Sequence, residues 1–441
     1  MPGHLESIPE WSEFVVPSNW FEAEDYTELE RLAHELKDRV TIDDLRTGVR
    51  IRTSSWVGVV RVGSVEIRIV PKLAGGNVGL ARMLHLTTGL GGLSRIDARR
   101  FIETGGPSLF DLVALLLAEE CGYILRGGLL RDYVLREEES TVVRGRILTE
   151  RQMQRLGSAA TISCRFDEHE QDVPENQLLS LALGKCLRRL TDFQVAGRVR
   201  RLLDVYREAC NPDDLDLPAY KIGREYHRQN KHYKPAHELA LLLLEGLGID
   251  DLLAPAQTTR SFVFLIDMNR LFERFVLRML QEVLAGSLWT VDYQAKLPGV
   301  VWDQGRGRPY GTPIPDFLVR QPPKRWPALP VDAKYKLYDE RRLSPEDIYQ
   351  GFVYAFAAGE PASGEPQPCM IVHPASKLAA GTRHLTVRHA AGRTLARLKV
   401  FSLPVQEALD EVENRREGTL TTSLGKIITE LMAELELSAT K

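Results

Sequence analysis

Pro315-Asp316, then fifteen intervening residues, then Asp332-Ala333-Lys334, constrain this chain more than any other segment. Val331, Ala333 and Tyr335 alternate with Asp332, Lys334 and Lys336, so a strand here turns the apolar set one way and places Asp332 beside Lys334 on the other face. Pro322, Pro323, Pro327 and Pro330 fall between the two aspartates and are poor in a central strand. The spacing therefore predicts a loop joining two neighbouring strands, with Asp316 opposite Asp332. Two carboxylates about 4 Å apart repel by roughly 4 kcal/mol at an effective dielectric of about 20, and a divalent cation between them reverses that term. Hard oxygen ligands with an incomplete shell favour Mg²⁺, with water and phosphate oxygens filling the remainder. Glu35-Leu36-Lys37 and Pro212-Asp213 each repeat one half of the pattern, without the other half or a strand around it. On these residues alone a surface strand carrying an ion pair stays an open alternative.

The surroundings supply more. Glu273 sits on an amphipathic stretch, about Phe262 to Ala285, read as a helix that brings a third acid to the site. Gln350 and Tyr354 are four apart on a helix at about 345 to 358 and share a face. Strand-like segments lie around Trp289 to Leu297, Pro315 to Arg320, Pro330 to Leu337, Cys369 to His373 and Lys399 to Leu403, with a further helix after Pro404. Upstream, Val57 to Val62 and Val65 to Ile69 alternate about Gly63-Ser64, which predicts a hairpin from Trp56 to Leu73. Helical runs are expected at about 26 to 38, 107 to 125, 174 to 210 and 236 to 247. With 441 residues the length favours two or three domains, and Ala254-Pro255-Ala256 is the expected seam. The working division is 1–255, a β-rich head with a helical body, and 256–441. The fold class is mixed α+β.

At this point the residues resemble the McrC-type nuclease subunit of McrBC modification-dependent (5-methylcytosine) restriction systems, within the PD-(D/E)xK superfamily. Phe264 to Val276 resembles that family's helix, Val331 to Lys336 its Asp-x-Lys-Tyr-Lys strand, and Asp347 to Gln350 with Tyr354-Ala355 its Tyr-Gln helix. Val65 to Lys72, Arg144 to Arg146 and His232 to Ala236 extend the likeness into the N-terminal half. The resemblance implies a C-terminal restriction-endonuclease-like domain with a central mixed sheet flanked by helices. It implies catalytic roles for Asp316, Asp332, Lys334, Glu273 and Gln350, with Mg²⁺ on Asp316, Asp332 and Ala333. It also implies a McrB-like AAA+ GTPase hexamer as partner and double-stranded DNA as substrate. Arg46, Arg50, Arg52, Arg61 and Arg68, on and beside the hairpin, are the candidates for the partner-binding surface. Alternatives are a catalytically silent regulator of an AAA+ ring and a nuclease that works without a motor.

Other signals exclude competing classes. No G-x-x-x-x-G-K-[ST] loop is present, since Gly425-Lys426 is followed by Ile427, so a motor would be a separate polypeptide. The net charge of -3 gives no bulk attraction to DNA. The five scattered cysteines contain no C-x-x-C pair, which argues against a disulfide framework or a zinc site. His227, His232 and His237 share one stretch with Arg228, Lys231 and Lys234, which favours structural or partner-contact roles over ligation. Gly89-Leu90-Gly91-Gly92 is read as a turn without a phosphate loop. The first residues lack a basic region followed by an apolar run, and no stretch reaches membrane-span length, so a cytoplasmic protein without membrane contact is expected.

Overall fold

The computed structural model describes residues 3–72, 76–88, 108–154, 160–246, 261–324, 326–336, 338, 342–359, 365–375, 382–413 and 418–439. The turn at 89–92 and the seam at 254–256 lie outside them. The chain begins with β1 (His4–Pro9), β2 (Glu13–Pro17), α1 (Asp25–Glu35), β3 (Val40–Leu45), β4 (Gly48–Thr53), β5 (Trp56–Val62), β6 (Val65–Val70) and α2 (Gly76–Thr88). There follow α3 (Leu109–Gly127), β7 (Asp132–Ser140), β8 (Arg146–Ile147), α4 (Thr149–Gln154), β9 (Ile162–Glu170), α5 (Pro174–Leu187), α6 (Phe193–Ala209), α7 (Leu217–Gly223) and α8 (Lys234–Gly246). The last part comprises β10 (Ser261–Asp267), α9 (Met268–Val283), β11 (Thr290–Tyr293), β12 (Val301–Asp303), β13 (Arg308–Gly311), β14 (Phe317–Arg320) and β15 (Leu329–Ala333), then α10 (Pro345–Ala358), β16 (Gln367–Ala375), β17 (Arg383–Arg388), β18 (Thr394–Pro404), α11 (Val405–Glu413) and α12 (Thr419–Ala439).

Two compact units are present: residues 1–5, 58–66 and 88–265 form one, and 6–57, 67–87 and 266–441 the other. The division is not the sequential one at 255/256, because Glu6–Val57 and Ile67–Thr87 go with the C-terminal half.

In the first unit α3 is the central helix, buried along most of its length, and α5, α6 and α8 pack on it. Its start is fixed by a capping box in which Ser108 Oγ accepts from the Asp111 amide and the Asp111 carboxylate accepts from the Ser108 amide. The helical run expected from 174 to 210 is two helices, because α5 ends at Leu187 and Asp192 caps a new start at Phe193. The hairpin is present, with β5 and β6 adjacent in the order β1-β6-β5-β10 and Gly63 at φ 55° in its turn.

The second unit holds a three-stranded sheet, β2-β4-β3, and a six-stranded sheet, β11-β14-β15-β16-β18-β17. In the larger sheet β15, β16 and β18 run parallel and the other pairs antiparallel, the mixed sheet that was expected. Helices α9, α11 and α12 pack together, α9 and α12 against β15, while α10 covers β15, β16 and β18.

One expectation needs correction here. The stretch from Phe262 is not helical at its start. Ser261–Asp267 is a strand with Ser261 to Ile266 all buried, and the helix begins at Met268 where Asp267 accepts from the Asn269 amide. An unbroken apolar run buried on both faces reads the same as a helix start in sequence. Pro330 stands in the strand, where the expected segment from Pro330 to Leu337 begins. It lies in β15 opposite Leu318, tolerated because the ladder to β16 begins only at Val331, so its missing N–H disrupts no pair on that side.

Candidate active site

The antiparallel register of β14 and β15 runs Phe317 opposite Val331 and Leu318 opposite Pro330, so one step further Asp316 meets Asp332. Asp316 accepts a 2.7 Å hydrogen bond from the Ala333 amide, which fixes its carboxylate at the end of the strand pair. Lys334 Nζ stands 2.8 Å from Asp332 Oδ2. That oxygen is buried, and the Lys334 ammonium stands beside it. The strand ends at Ala333, although the Lys334 amide still donates to Val372 O at 2.8 Å. The expected alternation therefore stops there. Lys336 leaves the Lys334 direction and pairs with Asp347 of α10 at 2.9 Å, where Tyr338 also donates to the same carboxylate.

Burial, then the neighbouring charge of Asp332, pushes Asp316 up to about 8, with Glu273 adding to the effect and the Ala333 amide opposing it. Burial likewise raises Asp332, against the pull of Lys334. Burial by itself would lower Lys334, yet Asp332 outweighs it and the ammonium is held above its ordinary value. Both carboxyls are thus shifted toward the protonated form.

This donor set fits a divalent cation. Two carboxylates at the ends of adjacent strands, both pushed up by burial and Asp316 further by the charge of Asp332, are what an ion between them relieves. Among the described residues no group of three His, Cys, Asp or Glu side chains is placed to hold a metal ion.

Glu273 belongs to the same neighbourhood. On α9 it accepts from Gln294 Nε2 at 2.9 Å, and the Gln294 amide donates to Asp316 O at 2.7 Å. Gln294 has φ 47°, uncommon for a residue with a side chain. Sequence reasoning missed it because its place depends on register and not on a motif. Gln350 donates to Tyr354 Oη at 2.8 Å, and Tyr354 donates to Ile314 O at 2.9 Å, which ties α10 to the segment leading into Asp316. Burial and then the charge of Asp332 raise Tyr354 to about 12.

The candidate arginines lie elsewhere. Arg46 is exposed between β3 and β4, and Arg50 and Arg52 on β4 pair with Asp43 at 2.8 and 3.3 Å. Arg61 on β5 pairs with the buried Glu66, while Arg68 lies on β6. His237 is a core residue, with Tyr220 and Tyr226 hydroxyls at 3.3 and 3.1 Å from Nδ1 and Glu175 O at 3.1 Å from Nε2. All five cysteines are buried and free. No described helix is long and apolar enough to cross a membrane.

Residues 51–371 match the model of a family described as McrBC 5-methylcytosine restriction system component. No curated protein matches. A chain from the refined half-complex of the tetradecameric assembly of Thermococcus gammatolerans McrB AAA+ hexamers with bound McrC superposes with a TM-score of 0.58 at 18% identity, covering 93% of this chain and 100% of that one. A chain from the cryo-EM structure of the Thermococcus gammatolerans McrBC complex gives a TM-score of 0.44 at 21% identity, over 64% of this chain and 88% of that one.

Proposed function

Because the chain belongs to the McrBC 5-methylcytosine restriction system component family, we propose that it is the nuclease subunit of such a system, cutting double-stranded DNA with Mg²⁺ beside an AAA+ GTPase hexamer. The observation that carries this reading is the meeting of Asp316, Asp332 and Lys334 at the ends of β14 and β15. Asp316 and Asp332, with the Ala333 carbonyl, would hold the ion. Bound there, Mg²⁺ supplies positive charge toward a scissile phosphate and acidifies a coordinated water. Lys334 places an ammonium next to that position, suited to orienting the water and to meeting charge that develops on the phosphate. Glu273, through Gln294, and Gln350, through Tyr354, hold the walls of the site.

The partner is assigned on the family and on the McrB AAA+ hexamers that accompany McrC in the superposed Thermococcus gammatolerans assembly. Arg46, Arg50, Arg52, Arg61 and Arg68 are the proposed docking residues. The absence of a phosphate-binding loop in this chain supports a GTPase carried on a separate polypeptide.

Asp332→Ala and Lys334→Ala, assayed with the partner, GTP, Mg²⁺ and methylated duplex, should each lower the cleavage rate at least about 100-fold. Stimulation of the partner's GTPase should survive in both. Continued cutting by both substituted proteins would overturn the site assignment.

A further inference from the structure

Between β11 and β14 the chain makes an excursion that the acid and lysine set does not use. The ladder of these strands pairs Thr290 with Arg320 and Tyr293 with Phe317, and the same register continues through the Gln294 amide on Asp316 O to the Leu297 amide on Pro313 O at 3.0 Å. Beyond that bond lies the two-stranded ribbon β12-β13, with Val301 opposite Gly311 and Asp303 opposite Arg308. The ribbon is thus the outer end of the hairpin whose inner end carries Asp316. Every residue from Pro298 to Tyr310 except Asp303 is exposed.

A two-stranded ribbon standing outside any larger sheet has little stability of its own, and this one leaves Trp302 47% and Tyr310 78% exposed. Large aromatic groups kept in water on an extension of a candidate site call for a ligand with flat or apolar surface. Arg306 and Arg308 add cationic charge that outnumbers Asp303, which sits 3.8 Å from Arg306. Aromatic rings interleaved with arginines can pack on sugars and base edges beside phosphates, and a two-stranded ribbon matches the width of the DNA major groove.

We infer that the β12-β13 ribbon is a DNA-binding arm that grips the duplex beside the cut through Trp302, Tyr310, Arg306 and Arg308. The inference rests on the nuclease reading and adds to it a substrate contact outside the acid and lysine set. At about 3.3 Å per residue, Gly311 lies within about 17 Å of Asp316 and Arg308 within about 26 Å. Those limits correspond to at most about five and about eight base-pair steps of about 3.4 Å. The chain's net charge of -3 makes such a local cationic arm more necessary, since the molecule as a whole does not attract polyanions.

The test compares the full chain with Trp302→Ala/Tyr310→Ala, Arg306→Ala/Arg308→Ala and Arg306→Lys/Arg308→Lys. Affinity for a short fluorescein-labelled duplex is read by anisotropy over a salt series, together with stimulation of the partner's GTPase without DNA. The aromatic pair should weaken binding about tenfold or more through lost apolar contact. Loss of both arginines should lower the slope of log affinity against log salt by up to about 2, and the lysine pair should restore it. Unchanged affinity and slope in both alanine pairs overturn the inference, and so does loss of GTPase stimulation with DNA affinity intact, which would make the ribbon a protein contact. Since binding is read without cleavage, an Asp332→Ala chain that still cuts would sink the nuclease site without altering this outcome.

Discussion

His237 shows what a single buried side chain contributes and how little of it is legible beforehand. In sequence it shares a stretch with His227 and His232, the kind of spacing that invites a metal assignment. In the fold it is fully buried between tyrosines, and burial lowers its pKa from 6.5 to about 4. The folded state therefore favours the neutral ring, while the unfolded chain takes a proton near 6.5, so its contribution is complete above that pH and lost as pH falls toward 4. A shift of this size corresponds to roughly 3 kcal/mol. Thermal or urea unfolding of the wild type should show that loss between about pH 6.5 and 4, and His237→Gln should flatten it; parallel curves for the two proteins would exclude His237 as the cause. The opposite case is the Asp316 and Asp332 pair, which was legible because strand alternation and a loop between two strands dictate which carboxylates meet. Gln294 was not, because its position follows from the register of β11 on β14 and from a positive φ that no local residue pattern announces.

Helix α10 is the element whose packing most directly shapes the candidate site. Its range was legible as a helix at about 345 to 358, and in the fold Ser344 caps it with Pro345 in the first turn. How closely it approaches the sheet was not. Gly351 faces β16 and β18, and a Cβ placed there would stand 3.2 Å from Leu398 Cδ2 and 3.6 Å from Ile371 Cδ1. Gly351→Ala sets a helix-propensity gain of about 1 kcal/mol against that tight contact, so its stability should stay within about 1 kcal/mol of wild type. Gly351→Val cannot be accommodated so locally and should cost about 1–3 kcal/mol. Because Gln350 and Tyr354 flank this contact, the valine protein should also lose cleavage activity. Urea unfolding alongside a cleavage assay checks both, and equal stabilities for alanine and valine would show that the helix–sheet gap is looser than described. The mistaken helix start before Met268 belongs to this scale too: Phe262 to Ile266 carry no polar residue to reveal a two-residue period, so only the Asp267 cap separates strand from helix.

At the scale of the whole molecule, a boundary at a proline-containing seam was the natural reading, yet long-range contacts within the second compact unit draw early residues into the C-terminal half. Tyr335, next to Lys334, donates to the buried Glu10 at 2.7 Å and packs on Phe272 of α9. Glu10 also accepts from the Lys72 amide at 2.7 Å. Ser55 serves the start of α9 twice, accepting from the Met268 amide at 3.0 Å and from Asn269 Nδ2 at 2.6 Å. Arg82 on α2 pairs with Asp410 and Glu413 of α11 at 2.5 and 2.8 Å. None of these partners is near its counterpart in sequence, so composition and periodicity carry no trace of them. A fragment of residues 256–441 keeps every acid of the candidate site but leaves the Tyr335 hydroxyl and the Met268 amide without acceptors, at about 1–3 kcal/mol each. Such losses are a large share of an ordinary stability of about 5–15 kcal/mol. The fragment should therefore unfold at markedly lower urea than the full chain and show weakened near-ultraviolet circular dichroism, and Tyr335→Phe in the full chain should reproduce part of the loss. A fragment as stable as the intact protein would mean that the N-terminal strands only rest on the half that carries the candidate site and do not complete it.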